Sequence, residues 1–384
     1  MLQSRRMYIP PLALLGPGCV KEIGPEIKKM NVKKALVVTD QVLLEIGVSQ
    51  EVLKVLDESA IAYAVFADVK PNPTIKNVYD GLKALEENGC DFVISIGGGS
   101  PQDCGKAIAI LATNPGDLRD YEGVNKTQNK GLPIVAINTT AGTASEATIN
   151  YVITDEERKV KMVLVDSNSL ATIAVNDPEL MMKKPKALTA ATGMDALTHA
   201  IEGYLTKGAS ALTDALNLES IRMISSSLRD AVNDRENLEA RSKMAYGQYI
   251  TGMAFSNCGL GIVHSMAHQL GGLYDLPHGV CNAVLLPHIV KYNAAFVGDK
   301  LRNVAVAMGE AVDGLSVEKA NEVAIKAIEK LSKDVGIPSG LAALGVKEED
   351  LAQMADMALA DACTPGNPRT PNKEEIITIY KEAL

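Results

Sequence analysis

Phe92-Val93-Ile94-Ser95-Ile96-Gly97-Gly98-Gly99-Ser100-Pro101-Gln102-Asp103 runs from an apolar stretch through three glycines into a helix start. A short run of β-branched and aromatic residues suits a strand covered on both faces, as in a parallel sheet. Ser100 is a good N-cap, Pro101 suits the first helical position and Asp103 sits at the third. The spacing therefore predicts a helix opening just after the glycines. Backbone N–H groups at such a start attract phosphate, and glycine lets the backbone approach closely. The stretch is neither Gly-x-Gly-x-x-Gly nor a Walker A loop, since Gly105-Lys106 lacks the glycine five residues earlier and is followed by Ala107. A tight strand-to-helix turn with no ligand is the other reading of the same residues.

Working outward, residues 33–40 read as a buried strand ending in Asp40, followed by a helical pattern over 49–58 and a second strand from Ala62 to Val69. The prolines of 70–74 mark a loop, and a helix near 76–88 leads into the glycine stretch. A fourth strand, Ile134 to Asn138, ends in Thr139-Thr140-Ala141-Gly142-Thr143-Ala144-Ser145-Glu146. Alternating strands and helices imply a parallel α/β sheet. In such sheets ligands bind beyond the carboxyl ends of the strands, where Asp40, the glycines and the threonine loop all fall. A carboxylate like Asp40 accepts both hydroxyls of an adenosine ribose and repels a 2′-phosphate, which favours NAD over NADP. A helix cap or turn is the plainer role for Asp40.

After residues 177–185 the β-branched runs give way to 3.6-residue patterns over 187–206, 211–231, 235–257, 260–273, 316–335 and 372–384. The expected organisation is an α/β dinucleotide-binding domain with a parallel sheet over residues 1–184 and an all-helical, metal-binding catalytic domain over 185–384.

The chain has five histidines, and His264, His268 and His278 fall within one short stretch of the helical half. His199 follows Asp195 by four residues, and His268 follows His264 by four. On a helix, residues so spaced share a face. Imidazoles and a carboxylate are the ligands a divalent transition metal takes, so Asp195, His199, His264 and His278 are a candidate metal set, with His268 beside it. The same spacing also suits hydrogen-bonded core histidines. His288 reads as structural.

Composition narrows the class. The chain has 384 residues, a net charge of −9, 47% hydrophobic residues and no tryptophan. The acidic balance argues against a nucleic-acid surface. No uninterrupted apolar run of about 18 residues suggests a membrane span. The N-terminus shows basic residues without an apolar signal core, so a cytoplasmic location is expected. Six scattered cysteines with no Cys-x-x-Cys pair read as reduced thiols. A cofactor half and a metal half meeting at a cleft suit hydride transfer, with the metal polarising a substrate oxygen. A nucleotide-binding protein with a structural metal is the rival from another class.

The sequence resembles the iron-containing (group III) alcohol dehydrogenases over essentially its whole length. The resemblance rests on Gly97-Gly98-Gly99-Ser100-Pro101-x-Asp103, on Thr139 to Thr143, on Ala191 to His199, and on Gly261 to Gly279. Thr148 to Glu156 and Cys363 to Arg369 are most similar to the diol-active branches, lactaldehyde reductase and 1,3-propanediol dehydrogenase. The resemblance implies Fe²⁺ on Asp195, His199, His264 and His278, with Zn²⁺ as the substitute seen in relatives. It implies His268 near the nicotinamide and substrate as a catalytic proton relay. It places cofactor roles on Asp40, Asn72, Gly98, Gly99, Ser100, Asp103, Thr139, Thr140, Thr143, Lys161 and Leu180. It places substrate-pocket roles on Asn150, Val152, Val163, Phe255 and Cys363. The implied activity is NAD-dependent oxidation of small alcohols and diols or reduction of the aldehydes, by a homodimer or higher homo-oligomer. The alternatives are methanol- or ethanol-type dehydrogenases of the same family and a glycerol-dehydrogenase-like zinc enzyme. The family pattern often has glycine where Ala144 stands, a departure shared by the diol-active branches.

Overall fold

The structure, a computed structural model, describes residues 4–384. Two compact units divide between Lys183 and Lys184. Among the described residues nine strands are formed, all in the first unit: β1 Leu12–Leu15, β2 Lys34–Val38, β3 Ala62–Phe66, β4 Phe92–Gly97, β5 Gly123–Val124, β6 Ile134–Asn138, β7 Asn150–Asp155, β8 Val160–Val165 and β9 Ile173–Asn176. Its helices are α1 Ile23–Lys28, α2 Gln41–Glu45, α3 Val48–Glu58, α4 Ile75–Glu87 and α5 Gly99–Leu111.

Six strands pair in parallel in the order β1-β9-β6-β4-β2-β3. Successive side chains of a strand point to opposite faces. On β2, Leu36 and Val38 enter one core with Val93, Ile108 and Ile134, while Ala35 and Val37 enter the other with Ile94, Val135 and Val175. Helices α4 and α5 contribute Val78, Leu85 and Ala107 to the first core. Helices α1 and α3 contribute Ile23, Ile27, Val52 and Leu56 to the second. Both faces are thus covered, and each fully buried aliphatic chain such as Ile94 stabilises by roughly 1.5–3 kcal/mol.

The structure departs from the sequence expectation in three places here. Helix α5 opens at Gly99, with Gly98 as N-cap and no side-chain cap, so Ser100 is not the N-cap. The turn closes early because the glycines allow it: a Cβ on Gly98 would lie 2.7 Å from Thr140 Cγ2, and one on Gly99 would lie 2.9 Å from Thr143 Cγ2. The short strands β1 and β9, only four residues each, extend the sheet beyond β6. Finally β7 and β8 form an antiparallel hairpin, with β5 parallel to β8, in a separate three-stranded sheet. On β7, Tyr151, Ile153 and Asp155 are buried while Asn150, Val152 and Thr154 are half-buried, the alternation of a strand with one covered face.

The second unit is helical: α6 Lys186–Leu205, α7 Ala211–Asn233, α8 Leu238–Cys258, α9 Ile262–Tyr274, α10 His278–Asn293, α11 Lys300–Ala307, α12 Val317–Asp334, α13 Leu351–Ala360 and α14 Lys373–Ala383. Helix α6 is central, packed against α7, α8 and α10, and every residue from Gly193 to Leu205 is buried. Helix α10 lacks a one-sided pattern because most of it is buried all round, and Pro287 within it reads as a breaker. Among the described residues, no helix is long and apolar enough to cross a membrane.

Candidate functional site

The helical unit gathers a dense polar group in its interior. Helix α6 supplies Asp195 and His199 from one face, α9 supplies His264 and His268, and α10 opens with His278. Asp275 adopts a left-handed conformation after α9, and Pro277 precedes the new helix, so the chain reverses and His278 returns toward His264. Gly279 makes this possible, since a Cβ there would lie 2.5 Å from the Ala191 carbonyl oxygen of α6. Asp195, His199 and His264 each offer a ligand atom within 4.8 Å of the others. His278 Nε2 stands 3.7 Å from Asp195 Oδ1. All four are brought together, with His278 the more open member.

One atom marks the centre. Asn282 Nδ2 lies 2.7 Å from Asp195 Oδ1 and 3.1 Å from both His264 Nε2 and His278 Nε2. An amide nitrogen has two hydrogens, so it cannot satisfy three acceptors. Among the described residues, buried His199 Nδ1 has no hydrogen-bond partner. One carboxylate and three imidazoles converging in this way fit a divalent first-row metal ion. Burial pushes His199 and His264 down to about 3, so both rings are neutral, the ligand form.

Glu202, one turn beyond His199, determines which nitrogen of His264 carries the proton. Its carboxylate accepts from the Val263 N–H at 2.7 Å and the His264 N–H at 3.4 Å, the free donors of the first turn of α9. It also meets His264 Nδ1 at 2.5 Å. With Nδ1 donating, Nε2 presents its lone pair to the centre. Burial raises Glu202 to about 7 against the pull of the backbone N–H groups of Val263, His264 and Gly261. Phe255 stacks on His199 with ring centroids 4.3 Å apart and covers that side in apolar surface.

His268 stands apart from this set. Its Nδ1 lies 2.8 Å from Asp361 Oδ2, and its ring stacks on His278 with centroids 5.5 Å apart. Asp361 Oδ1 accepts the Cys363 N–H at 2.9 Å, so His268, Asp361 and Cys363 form a second cluster. Burial pushes the Asp361 carboxyl up, but His268 carries it below the ordinary carboxylate value. Burial, then Asp361, raises the Cys363 thiol well above its usual range.

In the α/β unit, β2, β4 and β6 are neighbours, so Asp40, Gly97 to Ser100 and Thr139 to Thr143 lie beyond three adjacent carboxyl ends. Gly98, Gly99 and Ser100 open α5. Thr140 donates from its N–H to Asn138 Oδ1 at 2.9 Å, while Thr139 is buried and Thr143 Oγ1 accepts from the Ser145 N–H at 3.4 Å. Asp40 caps α2, accepting the Leu43 N–H at 2.9 Å, and burial raises its pKa. Asp103 turns inward, accepting Ser145 Oγ–H at 2.7 Å and the Val152 N–H at 3.0 Å. Leu180 lies in the apolar core, which leaves its backbone as the part that can meet a ligand.

The hairpin brings further residues to one face. Val152 and Val163 are cross-strand partners, Asn150 is two residues from Val152, and Lys161 pairs with Thr154. Lys161 Nζ donates to Asn72 Oδ1 at 2.7 Å. Among the described residues, Asn150 Oδ1 has no hydrogen-bond partner. Phe255 and Cys363, the other expected pocket residues, lie in the helical unit. Sequence reasoning did not find Glu202, Asn282 or Asp361. The visible signal for Glu202 was a second carboxylate on the helix of Asp195, three residues after His199 and flanked by apolar and small residues.

Comparison with known proteins covers both units. A profile described as iron-containing alcohol dehydrogenase matches residues 10–178, and one described as Fe-containing alcohol dehydrogenase family, C-terminal, matches 189–384. The chain is 48% identical over 382 residues to the lactaldehyde reductase of Escherichia coli (strain K12), covering 99% of this chain and 100% of that one. It is 47% identical over 377 residues to the NAD-dependent methanol dehydrogenase of Bacillus methanolicus, covering 98% and 99%. The crystal structure of a 1,3-propanediol oxidoreductase superimposes with a TM-score of 0.97 at 49% identity, covering 100% of both chains.

Proposed function

The chain belongs to the iron-containing alcohol dehydrogenase family, and from that premise we propose that it oxidises small alcohols and diols, or reduces the matching aldehydes, with NAD and Fe²⁺. Membership makes it an alcohol-dehydrogenase-type oxidoreductase. The substrate assigned is of the lactaldehyde/1,2-propanediol or 1,3-propanediol type. The observation that carries the reading is the convergence of Asp195, His264 and His278 on one amide nitrogen, beside the unpartnered nitrogen of His199.

In this reading Asp195, His199, His264 and His278 hold the metal, and Glu202 and Asn282 orient the ligands. When bound, the ion supplies Lewis acidity toward the substrate oxygen and the nicotinamide supplies the hydride acceptor or donor. His268, held through Nδ1 by Asp361, keeps Nε2 for the proton that the alcohol gives up. Asp40, Asn72, Gly98, Gly99, Ser100, Asp103, Thr139, Thr140, Thr143, Lys161 and Leu180 serve the cofactor. Asp103 and Leu180 do so from behind, since their side chains are turned into the fold. Phe255 excludes water beside His199.

Val152 and Val163 are stiff, paired side chains and Asn150 brings an unengaged amide oxygen near them. These residues would grip a short chain carrying a second hydroxyl. Rates along the series from ethanol to octanol, with both propanediols, test the reading on iron-loaded and zinc-loaded protein. kcat/KM should peak at roughly C2 to C4 alcohols and diols, because overpacking of a longer chain costs about 1–3 kcal/mol. A steady rise with chain length refutes the small-diol assignment, and absence of NADH formation with every alcohol refutes the activity.

A further inference from the structure

The start of α6 concentrates positive charge inside the helical unit. Lys184, just before the helix, and Arg241, on α8, are both buried, at 6% and 3% exposure. Lys184 Nζ reaches Thr192 Oγ1 at 3.5 Å, the limit of a hydrogen bond. Arg241 Nη1 donates to Thr189 Oγ1 at 2.9 Å. Thr189 and Thr192 are three residues apart on α6, so the two cations lie against one face of its first turns.

Neither cation is matched by a carboxylate. Among the described residues, no acid lies within salt-bridge distance of Lys184 or Arg241. The acids whose charge reaches Arg241 are Glu236 and Asp234. Glu236 pairs with Arg235 at 3.3 Å, and Asp234 accepts the Glu236 N–H at 3.0 Å. Among the described residues, Arg241 Nε and Nη2 have no hydrogen-bond partner although both are buried. These two nitrogens form the side of the guanidinium that binds two oxygens of one oxyanion in parallel. Burial first, and the Arg241 charge second, push the Lys184 ammonium down to about 7. An anion beside both residues counteracts the second effect.

We propose that Lys184 and Arg241, with Thr189 and Thr192 of α6 beside them, form a binding site for a small inorganic oxyanion of the phosphate or sulfate type. The free guanidinium edge selects two oxygens of one anion, and the near-complete burial of both cations restricts the site to a small one. Its occupant stabilises the helical unit.

Thermal unfolding of the full chain tests this, in phosphate, in sulfate and in chloride at matched ionic strength. Phosphate and sulfate stabilise many proteins by exclusion from their surface, so the readout is the difference between wild type and variants. In wild type, Tm should rise in saturating phosphate over chloride by about 4 °C or more, following binding to the folded state alone. Lys184→Met and Arg241→Gln should each lose at least half of that rise. Lys184→Met keeps an apolar stem of similar length, so it reports even if Arg241→Gln does not fold. An equal rise in wild type and Lys184→Met overturns the proposal, as does no rise in wild type.

Discussion

Glu202→Gln separates a metal centre from a cluster of core histidines. The carboxylate does two jobs: it accepts the first N–H groups of α9, and it meets His264 Nδ1 at 2.5 Å. Glutamine keeps one oxygen for the Val263 N–H but turns an N–H₂ toward His264. Nδ1 then faces a donor, which favours the tautomer with its proton on Nε2. That proton occupies the lone pair that points to Asp195, Asn282 and the centre. Loss of a partner of this kind typically lowers metal affinity by about 10–100-fold, or about 1.4–2.8 kcal/mol. The assay is a chelator competition with zinc or iron on folded protein, with circular dichroism as the check on fold. Asp361→Asn is the control, because it touches His268 and not the four candidate ligands; its metal affinity should stay within roughly threefold while kcat falls. A Glu202→Gln protein that folds and binds metal as tightly as wild type refutes the reasoning.

His268→Ala should retain its metal and lose about 10²-fold in kcat, measured by metal analysis and steady-state rates; loss of metal would make His268 a ligand instead. Asp40 also caps α2, so Asp40→Ser is the clean cofactor test: serine keeps the cap and removes the charge. It should narrow the NAD/NADP preference in kcat/KM by at least about tenfold, about 1.4 kcal/mol, and an unchanged ratio removes Asp40 from the cofactor site. Asp155 receives Arg119 Nε at 2.6 Å and Arg158 Nε at 2.7 Å, and the Arg119 hydrogen bond foremost holds its carboxyl well below the usual range. Its folded pKa is depressed, so its contribution is complete above the unfolded value of about 4 and is lost as pH falls toward the folded value. Asp155→Asn should cost about 1–2 kcal/mol at neutral pH, reduced by the exposure of both arginines, and should flatten the acid limb of a urea-unfolding pH series.

The parallel sheet was legible because its central strands are continuous apolar runs and its glycines can hardly be anything but a turn. The four-residue strands β1 and β9 carry too little pattern to stand out, although each is paired in register along its length. The hairpin carries a readable alternation, but β7 follows a loop of small residues that blurs where the strand begins. Ala144 shows what local sequence can carry: its φ of 52° lies in the left-handed region, which accounts for glycine at this place in the family pattern. In the helical unit, i,i+4 spacing gave each pair of polar residues its shared face. It could not say that α6, α9 and α10 would meet. That depends on the fit of Gly279 against Ala191, a tertiary contact with no periodic signature.

The same tertiary contacts explain why Glu202, Asn282 and Asp361 were missed. Each acts through a histidine distant in sequence, so none has a spacing of its own. Their placement nevertheless has a common logic. Glu202 ties α6 to the first turn of α9, Asn282 ties α10 to Asp195 of α6, and Asp361 ties His268 of α9 to the segment after α13. A buried polar group destabilises a helical core unless it is paired, and here the pairing partners belong to different helices. The side chains that orient the candidate ligands are therefore the ones that fix helix packing. Because these contacts are made only in the folded chain, a metal held by the proposed ligands would draw its affinity from folding free energy, and its binding and the helix packing would rise and fall together.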